Sequence, residues 1–323
     1  IGLQSSWNTI DYYWPTKNGA SLRSSGLPQY MFDAELLFRP AADIIGEIFN
    51  SYTIGAYYSD VVDFRPALLR RDGKDVVRLY VDPNGSKADG DGSSWSNNAP
   101  SLHEALVFFE NFTLPATKSF NTLNVETPDA YPGQNSITLN PDNTIFEICL
   151  REGNIQPEYS YDNNDARSVS HRIPRMDCPL RIVGGYPSAS ANATPTDADR
   201  DIKNCRTEFD GRYTIGALSG HSYHTVRVQN GADVTFDGVA VTGGNATENS
   251  TIHTGAGVLL FNGARVQMDN CIIENNRAYT GPAVGATTLA DDVKLVMRNC
   301  VVNNNTVVES QEKAASDDPW LLS

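Results

Sequence analysis

The sequence predicts an all-β solenoid, a stack of short coils wound around one apolar interior. Three observations predict it. First, the phrase "MDNCIIENN" at Met268–Asn276 returns as "MRNCVVNNN" at Met297–Asn305, 29 residues later. Second, a looser copy, "FDGVAVTGG" at Phe236–Gly244, lies 32 residues before the first. Third, apolar residues alternate within each copy. Val234 and Phe236 correspond to Val266 and Met268, then to Leu295 and Met297. After a polar corner, Val239 and Val241 correspond to Cys271 and Ile273, then to Cys300 and Val302. A period of two gives a strand with one buried face and one wet face. Each unit leaves an open strand edge for the next unit to pair, so the units stack. Phe236, Met268 and Met297 are expected to form one inward column.

Four zones follow along the chain. Residues 1–78 mix aromatic patches ("DYYW", "AYY") with Pro and charge, and read as a small mixed capping or packing region of unknown fold. Its segments "AELLF", "IIGEIF" and "YTIGAYY" suit short strands or one short helix. Residues 79–143 hold an entry strand in "VVRLYV", a Gly/Asp-rich loop, and a helix starting at "SLHEAL". Ser101 and Glu104 have the spacing of a capping box. Leu102, Ala105, Leu106 and Phe109 share one helical face, which suits a plug over an open core. Residues 144–308 carry the coils, as short alternating strands cut by Gly and Asn. Residues 309–323 form a tail or a link to a further segment. Trp320, Leu321 and Leu322 would either fold back as a minimal plug, or another chain or segment would cover the last coil. The second is the reading adopted, because solenoid ends need caps.

Composition narrows the function. Thirty-nine acidic and 25 basic side chains give the chain a formal charge of −14. That balance argues against nucleic acid as a partner and disfavours anionic membranes. No apolar run approaches the roughly 20 residues of a spanning helix. "IGLQSSWNTI" lacks the basic start and apolar core of a signal peptide, which suits a processed chain or a piece of a longer one. Six sequons, at Asn84, Asn111, Asn192, Asn245, Asn249 and Asn304, are candidate glycosylation sites. The five cysteines form no CxxC, which argues against zinc. Cys271 and Cys300 should lie one coil apart, at about 4.8 Å between strands. They are either bridged or packed as small apolar groups. Cys178–Cys205, flanking a long polar insertion, is the other candidate bridge.

Four segments carry a resemblance. "LYVDPNGSKADGDGSSWSNNAPSLHEAL", "IFEICLREGNIQP", "LRIVGGYPSASANATPTDADRDIKNCRTEFDG" and "GAGVLLFNGARVQMDNCIIENNRA" together resemble right-handed parallel β-helix proteins of the pectin-lyase-like fold. More narrowly, they are similar to bacterial surface proteins with polymorphic-outer-membrane-protein-type repeats. The likeness covers roughly residues 78 to 308. The chain departs from the pattern where the Gly-Gly-Ala element is reduced to "GAGV" and where the last unit reads "GPAVGA". The resemblance implies surface adhesins or secreted structural modules, while related helices are polysaccharide lyases and hydrolases.

Two outward rows bear on that choice: Asp233, Arg265 and Lys294, then Asp237, Asp269 and Arg298. In a lyase, Arg265, Lys294 and Arg298 with Asp237 and Asp269 would supply the base and the carboxylate clamp. The commoner reading is a ladder of exposed ion pairs. Two acidic loops offer oxygens for calcium, with Asp82, Asn84, Asp89 and Asp91 in one and Asp197, Asp199 and Asp201 in the other. Such loops are also ordinary turns. His171, His221, His224 and His253 are scattered and read as satisfied surface residues. The expectation is therefore a non-enzymatic extracellular or cell-surface module with no cofactor other than candidate calcium. Its partners would be other chains or copies of itself at the helix ends, and carbohydrate. The alternative is an enzyme acting on acidic polysaccharide.

Overall fold

The computed structural model describes residues 64–309, apart from 86–89, 113–115, 120–122, 126–130, 161–164, 189–195, 216–217, 249–251 and 288–291. The aromatic patches and apolar runs of residues 1–63 and the Trp320–Leu322 tail lie outside the described residues.

Among the described residues, the chain winds through three parallel sheets. The front sheet orders Lys74–Val81, Thr144–Arg151, Leu180–Tyr186, Asp233–Asp237, Arg265–Asp269 and Lys294–Arg298 side by side. The second orders Gly153–Ile155, Thr207–Asp210, Val239–Thr242, Ile272–Glu274 and Val301–Asn303. The third orders Val169–Ile173, Val226–Val228, Val258–Leu260 and Val284–Ala286. One strand from each sheet makes a coil, so four coils begin at Thr144, Leu180, Asp233 and Arg265, and a fifth, begun at Lys294, is described in the first two sheets. The described residues form a parallel β-helix.

The register matches the sequence repeat residue for residue. Val234 lies on Val266 and Val266 on Leu295; Phe236 lies on Met268 and Met268 on Met297. The same column runs back through Ile182 and Ile148 to Leu79. Parallel register holds because a one-residue slip would turn every apolar side chain outward. Phe236 and Met268 are fully buried, as are Phe209 and Ile273 from the second sheet.

A hairpin and a helix lie against the first coil. Ala67–Arg71 pairs antiparallel with Lys74–Val81, with Arg71 opposite Lys74. The two loop residues, Asp72 and Gly73, both have positive φ, at 51° and 79°. Asp-Gly is the residue pair that such a two-residue hairpin favours. The first described strand therefore starts at Ala67, inside the zone read from sequence as a separate region ending at residue 78. The helix spans Leu102–Asn111, and the Ser101 hydroxyl accepts from the Glu104 backbone N–H at 3.2 Å. Its buried face is Leu102, Ala105, Leu106 and Phe109. Phe109 stacks on Phe146 of the first coil with centroids 4.6 Å apart, so the helix plugs the interior as its periodicity predicted.

The recurring asparagines turn the corners. Asn270 and Asn299 hold positive φ of 55° and 52° between front and second strands, and Gly238 holds 71° one coil earlier. Asn tolerates this left-handed conformation better than most residues with a Cβ. The amides also bond along the stack. Asn299 Nδ2 donates to Asn270 Oδ1 at 2.7 Å, and Asn270 Nδ2 donates to Asp237 Oδ1 at 2.9 Å. At the next corner Asn276 Nδ2 donates to Asn305 Oδ1 at 3.0 Å. Gly238 breaks the Asn series because Arg200 and Ile202 occupy the space that a Cβ would need.

Phe236→Ala should cost about 3–5 kcal/mol in urea unfolding, the usual range for emptying an aromatic site in a packed core. Met297→Ala, in the same column but only partly buried, should cost well under half of that.

Candidate functional site: a charged face and an open end

The outward side of the front sheet is not a row of solvated charges. Arg78, Glu147 and Arg181 sit in register on adjacent strands. Glu147 is 1% exposed and accepts from Arg78 Nε at 2.7 Å, Arg71 Nη1 at 2.9 Å and Arg181 Nη1 at 2.7 Å. Arg181 Nη2 continues to Asp237 at 2.8 Å and to Asp197 at 3.1 Å. Arg200 clamps Asp237 with two bonds of 2.9 Å and donates from Nε to the Gly184 carbonyl at 2.8 Å. The network crosses four adjacent strands of the front sheet and pins the polar insertion that follows Tyr186.

Burial alone would raise the Glu147 pKa. The guanidinium groups of Arg78, Arg71 and Arg181 more than offset it and hold Glu147 at about 2. For Asp237 burial again opposes the charge, and bonds from Arg200 and Asn270 bring it down to about 2. Both groups are committed anions, unsuited to carrying protons at neutral pH. The neighbouring outward column, Tyr80, Cys149 and Val183, is covered by Trp95 and Tyr186, which form a second small core with Ala67. Arg151 lies 4.8 Å from the Trp95 ring and pairs with Asp82 at 2.7 Å.

The residues singled out from sequence fall as follows. Asp233, Arg265 and Lys294 are in register, as are Asp237, Asp269 and Arg298. They do not converge. Asp237 is held by Arg200 and Arg181, Asp269 is 4.0 Å from Arg298, and Arg265 and Lys294 are exposed. Asp82 is spent on Arg151, the Asn84 amide donates to the Glu152 carbonyl, and Asp91 caps Ser93. Asp89 lies outside the described residues. Asp197 pairs with Arg181, Asp199 with the Thr196 turn and Asp201 with Asn204. Among the described residues no His, Cys, Asp and Glu cluster has metal-binding geometry.

All five cysteines are free thiols. Cys178 precedes the seven-residue strand Leu180–Tyr186, and Cys205 lies near its far end through Asp201 and Gly185. They stand on the order of 15 Å apart or more, too far to bridge. Cys271 and Cys300 are stacked as expected. Each thiol donates to a carbonyl of the preceding coil, Phe236 at 3.5 Å and Met268 at 3.2 Å. Burial pushes the Cys271 thiol up to about 12.

Two histidines are interior rather than surface residues. His171 lies 5.0 Å from the Phe209 ring, and the fully buried His224 faces the Gly255 carbonyl at 3.1 Å. Burial lowers both to about 4. His221 bonds the Gly243 carbonyl at 2.7 Å, and His253 packs its ring 5.0 Å from that of Tyr279. Of the sequons, Asn84, Asn111 and Asn304 are exposed. Asn245 caps Thr247, while Asn192 and Asn249 lie outside the described residues.

The fifth coil is the second feature. Leu295, Val302 and Val307 continue inward columns, yet they are 39%, 55% and 63% exposed. Their partners one coil back, Val266, Ile273 and Ala278, are buried. Sequence reasoning missed the ionic network. The available signal was Arg78 and Glu147 standing alone among aliphatics in "VVRLYV" and "TIFEICLR".

Residues 192–315 match the family model of the right handed beta helix region. That match covers most of the insertion, the later strands of the second coil and the third to fifth coils, and agrees with the three-sheet geometry. No curated protein and no solved structure gives a match. Among the described residues no helix is long and apolar enough to cross a membrane.

Acid should unfold the chain in two stages. Unfolded His titrates near 6.5, so stability is full above that pH and falls as His171 and His224 resist protonation down to about 4. Unfolded Glu147 and Asp237 titrate near 4.5 and 3.8, and their contribution is then lost as pH falls through those values towards about 2. Urea midpoints at several pH values read both stages. Glu147→Gln should flatten the second and cost about 3–5 kcal/mol at neutral pH, because it strands buried cations. Thiol titration in denaturant without reductant should find five groups per chain; three would reveal a bridge.

Proposed function

We propose that this chain is a non-enzymatic structural or adhesive module of an extracellular surface, joined to its neighbours through its fifth coil. The observation that carries the reading is the fifth coil, whose inward aliphatics are exposed where those of earlier coils are buried. Exposed apolar surface is the usual mark of a contact surface, and among the described residues no strand pairs the outer edge of this coil. The charged face supports the same reading. Its carboxylates are committed to arginines, and that arrangement braces coils against each other instead of presenting a base to a substrate. The likeness to surface proteins with polymorphic-outer-membrane-protein-type repeats, the acidic balance and the exposed sequons fit an extracellular setting.

Leu295→Asp combined with Val302→Asp tests this. The double variant should keep the β-rich circular dichroism spectrum while retention of the chain at the surface of producing cells falls at least about tenfold. Burying one unpaired carboxylate in an apolar contact costs more than the roughly 1.4 kcal/mol that tenfold represents. Unchanged retention would refute the reading. So would turnover of a uronate polymer that disappears when Arg265, Lys294 or Arg298 is changed to Ala, since that outcome selects the lyase alternative.

A further inference from the structure

One inward position breaks the aliphatic rule of the interior. In the third sheet Val226, Val258 and Val284 stack in register through three successive coils. His171 heads the same column in the first coil. It is 5% exposed. Its ring bonds to the Ile155 backbone, and among the described residues Nε2 has no hydrogen-bond partner. A buried nitrogen left unbonded destabilises the folded chain, whereas a valine there would carry no such cost. The exception falls where the column meets the helix.

A small cavity lies at that junction. Leu102, His103 and Leu106 line it from the helix, and Glu158, His171 and Arg172 from the first coil. It has room for about one water molecule, too little to hydrate a buried cation. The charged groups around it are already engaged. Arg172 donates from Nη1 and Nη2 to the two Glu110 carboxylate oxygens, at 2.6 Å each, and so ties the helix to the third sheet. Asp210 accepts from Asn154 at 2.6 Å and from Arg212 at 2.9 Å. Glu158 takes the Ser101 hydroxyl and faces Glu104. His103 faces Arg172, Glu110 and His171, while His171 faces Asp210 and His103. Burial lowers the pKa of both imidazoles, and the Arg172 charge adds to it at His103. Protonating both would put three cations, His103, His171 and Arg172, around a cavity that cannot hydrate them.

We propose that His103 and His171 form an acid-released latch: on protonation the helix leaves the interior, both imidazoles reach water, and the coils stay wound. The helix yields because it docks through side chains, whereas the strand that bears His171 is paired to Val226–Val228 through its backbone. A histidine whose pKa falls on docking disfavours the docked form as pH drops below about 6.5, and does so increasingly down to about 4. From about pH 7.5 to about pH 5, His171 alone should shift the balance towards release roughly thirtyfold.

Hydrogen exchange on the full chain reads the latch, with each amide's protection taken relative to its intrinsic rate at that pH. Protection of Leu102–Asn111 should fall at least about tenfold between about pH 7.5 and about pH 5. At the lower pH it should also lie at least about tenfold below that of Val226–Val228 and Val258–Leu260. His171→Val, the residue its column carries in the next three coils, should remove most of the fall. His103→Gln, at a half-buried position, should reduce it. Helix protection that does not change with pH would overturn the proposal. So would helix and coil amides reaching the same protection at the lower pH, because that outcome is the whole chain opening in one step. A fall that survives unchanged in both variants would place the acid response in other groups and overturn it as well. The wild-type comparison and His103→Gln keep the test decisive should His171→Val fail to fold.

Discussion

Everything in this molecule depends on one constraint, the in-register parallel pairing of successive coils. Register brings Ile148, Ile182, Phe236, Met268 and Met297 into one column. The same register stacks asparagine amides at the corners and sets Arg78, Glu147 and Arg181 side by side outside. A solenoid has no distant contacts to correct an error, since each coil touches only its neighbours. Fidelity must therefore come from every layer. The inward aliphatics favour one register by burial, the corner amides by hydrogen bonding, and the outer charges by pairing.

The outer network is better understood as a device for register than as a source of stability. Buried ion pairs recover little net energy over apolar residues of the same volume, but a broken one is costly. Displacing one strand along another would leave Glu147 facing no arginine in a dry environment. Arg200 extends this control to the insertion after Tyr186, which it ties to Asp237 on the next coil. That tie explains the glycine at position 238, where Asn occupies the same corner in the two later coils.

The coils could be read from sequence because alternation at period two and the 29- and 32-residue offsets are local patterns. They named the correct partners for Val234, Phe236 and Val241 without any knowledge of the fold. The network was not legible in the same way. Glu147 bonds to Arg78 across 69 residues of sequence, and no periodicity marks either residue. The hairpin at Asp72-Gly73 was legible in principle, since Asp-Gly between two apolar runs is a strong short-range signal. It lies between "ALLRR" and "KDVVRLYV", where the zone boundary at residue 78 cut through it. The histidines show a third kind of limit. His171 takes an inward position in register with Val226, and only the column identifies it as part of the interior.

The hairpin and helix against the first coil give the rod a direction in time as well as in space. The entry hairpin and helix precede the coils in the chain, so they can form before the coils leave the ribosome. Each later coil then finds a finished template beneath it and needs only to lie down on it. Wear should run the opposite way. Among the described windings the one at Lys294 is the least covered, so order should fail there before it fails beside the plug.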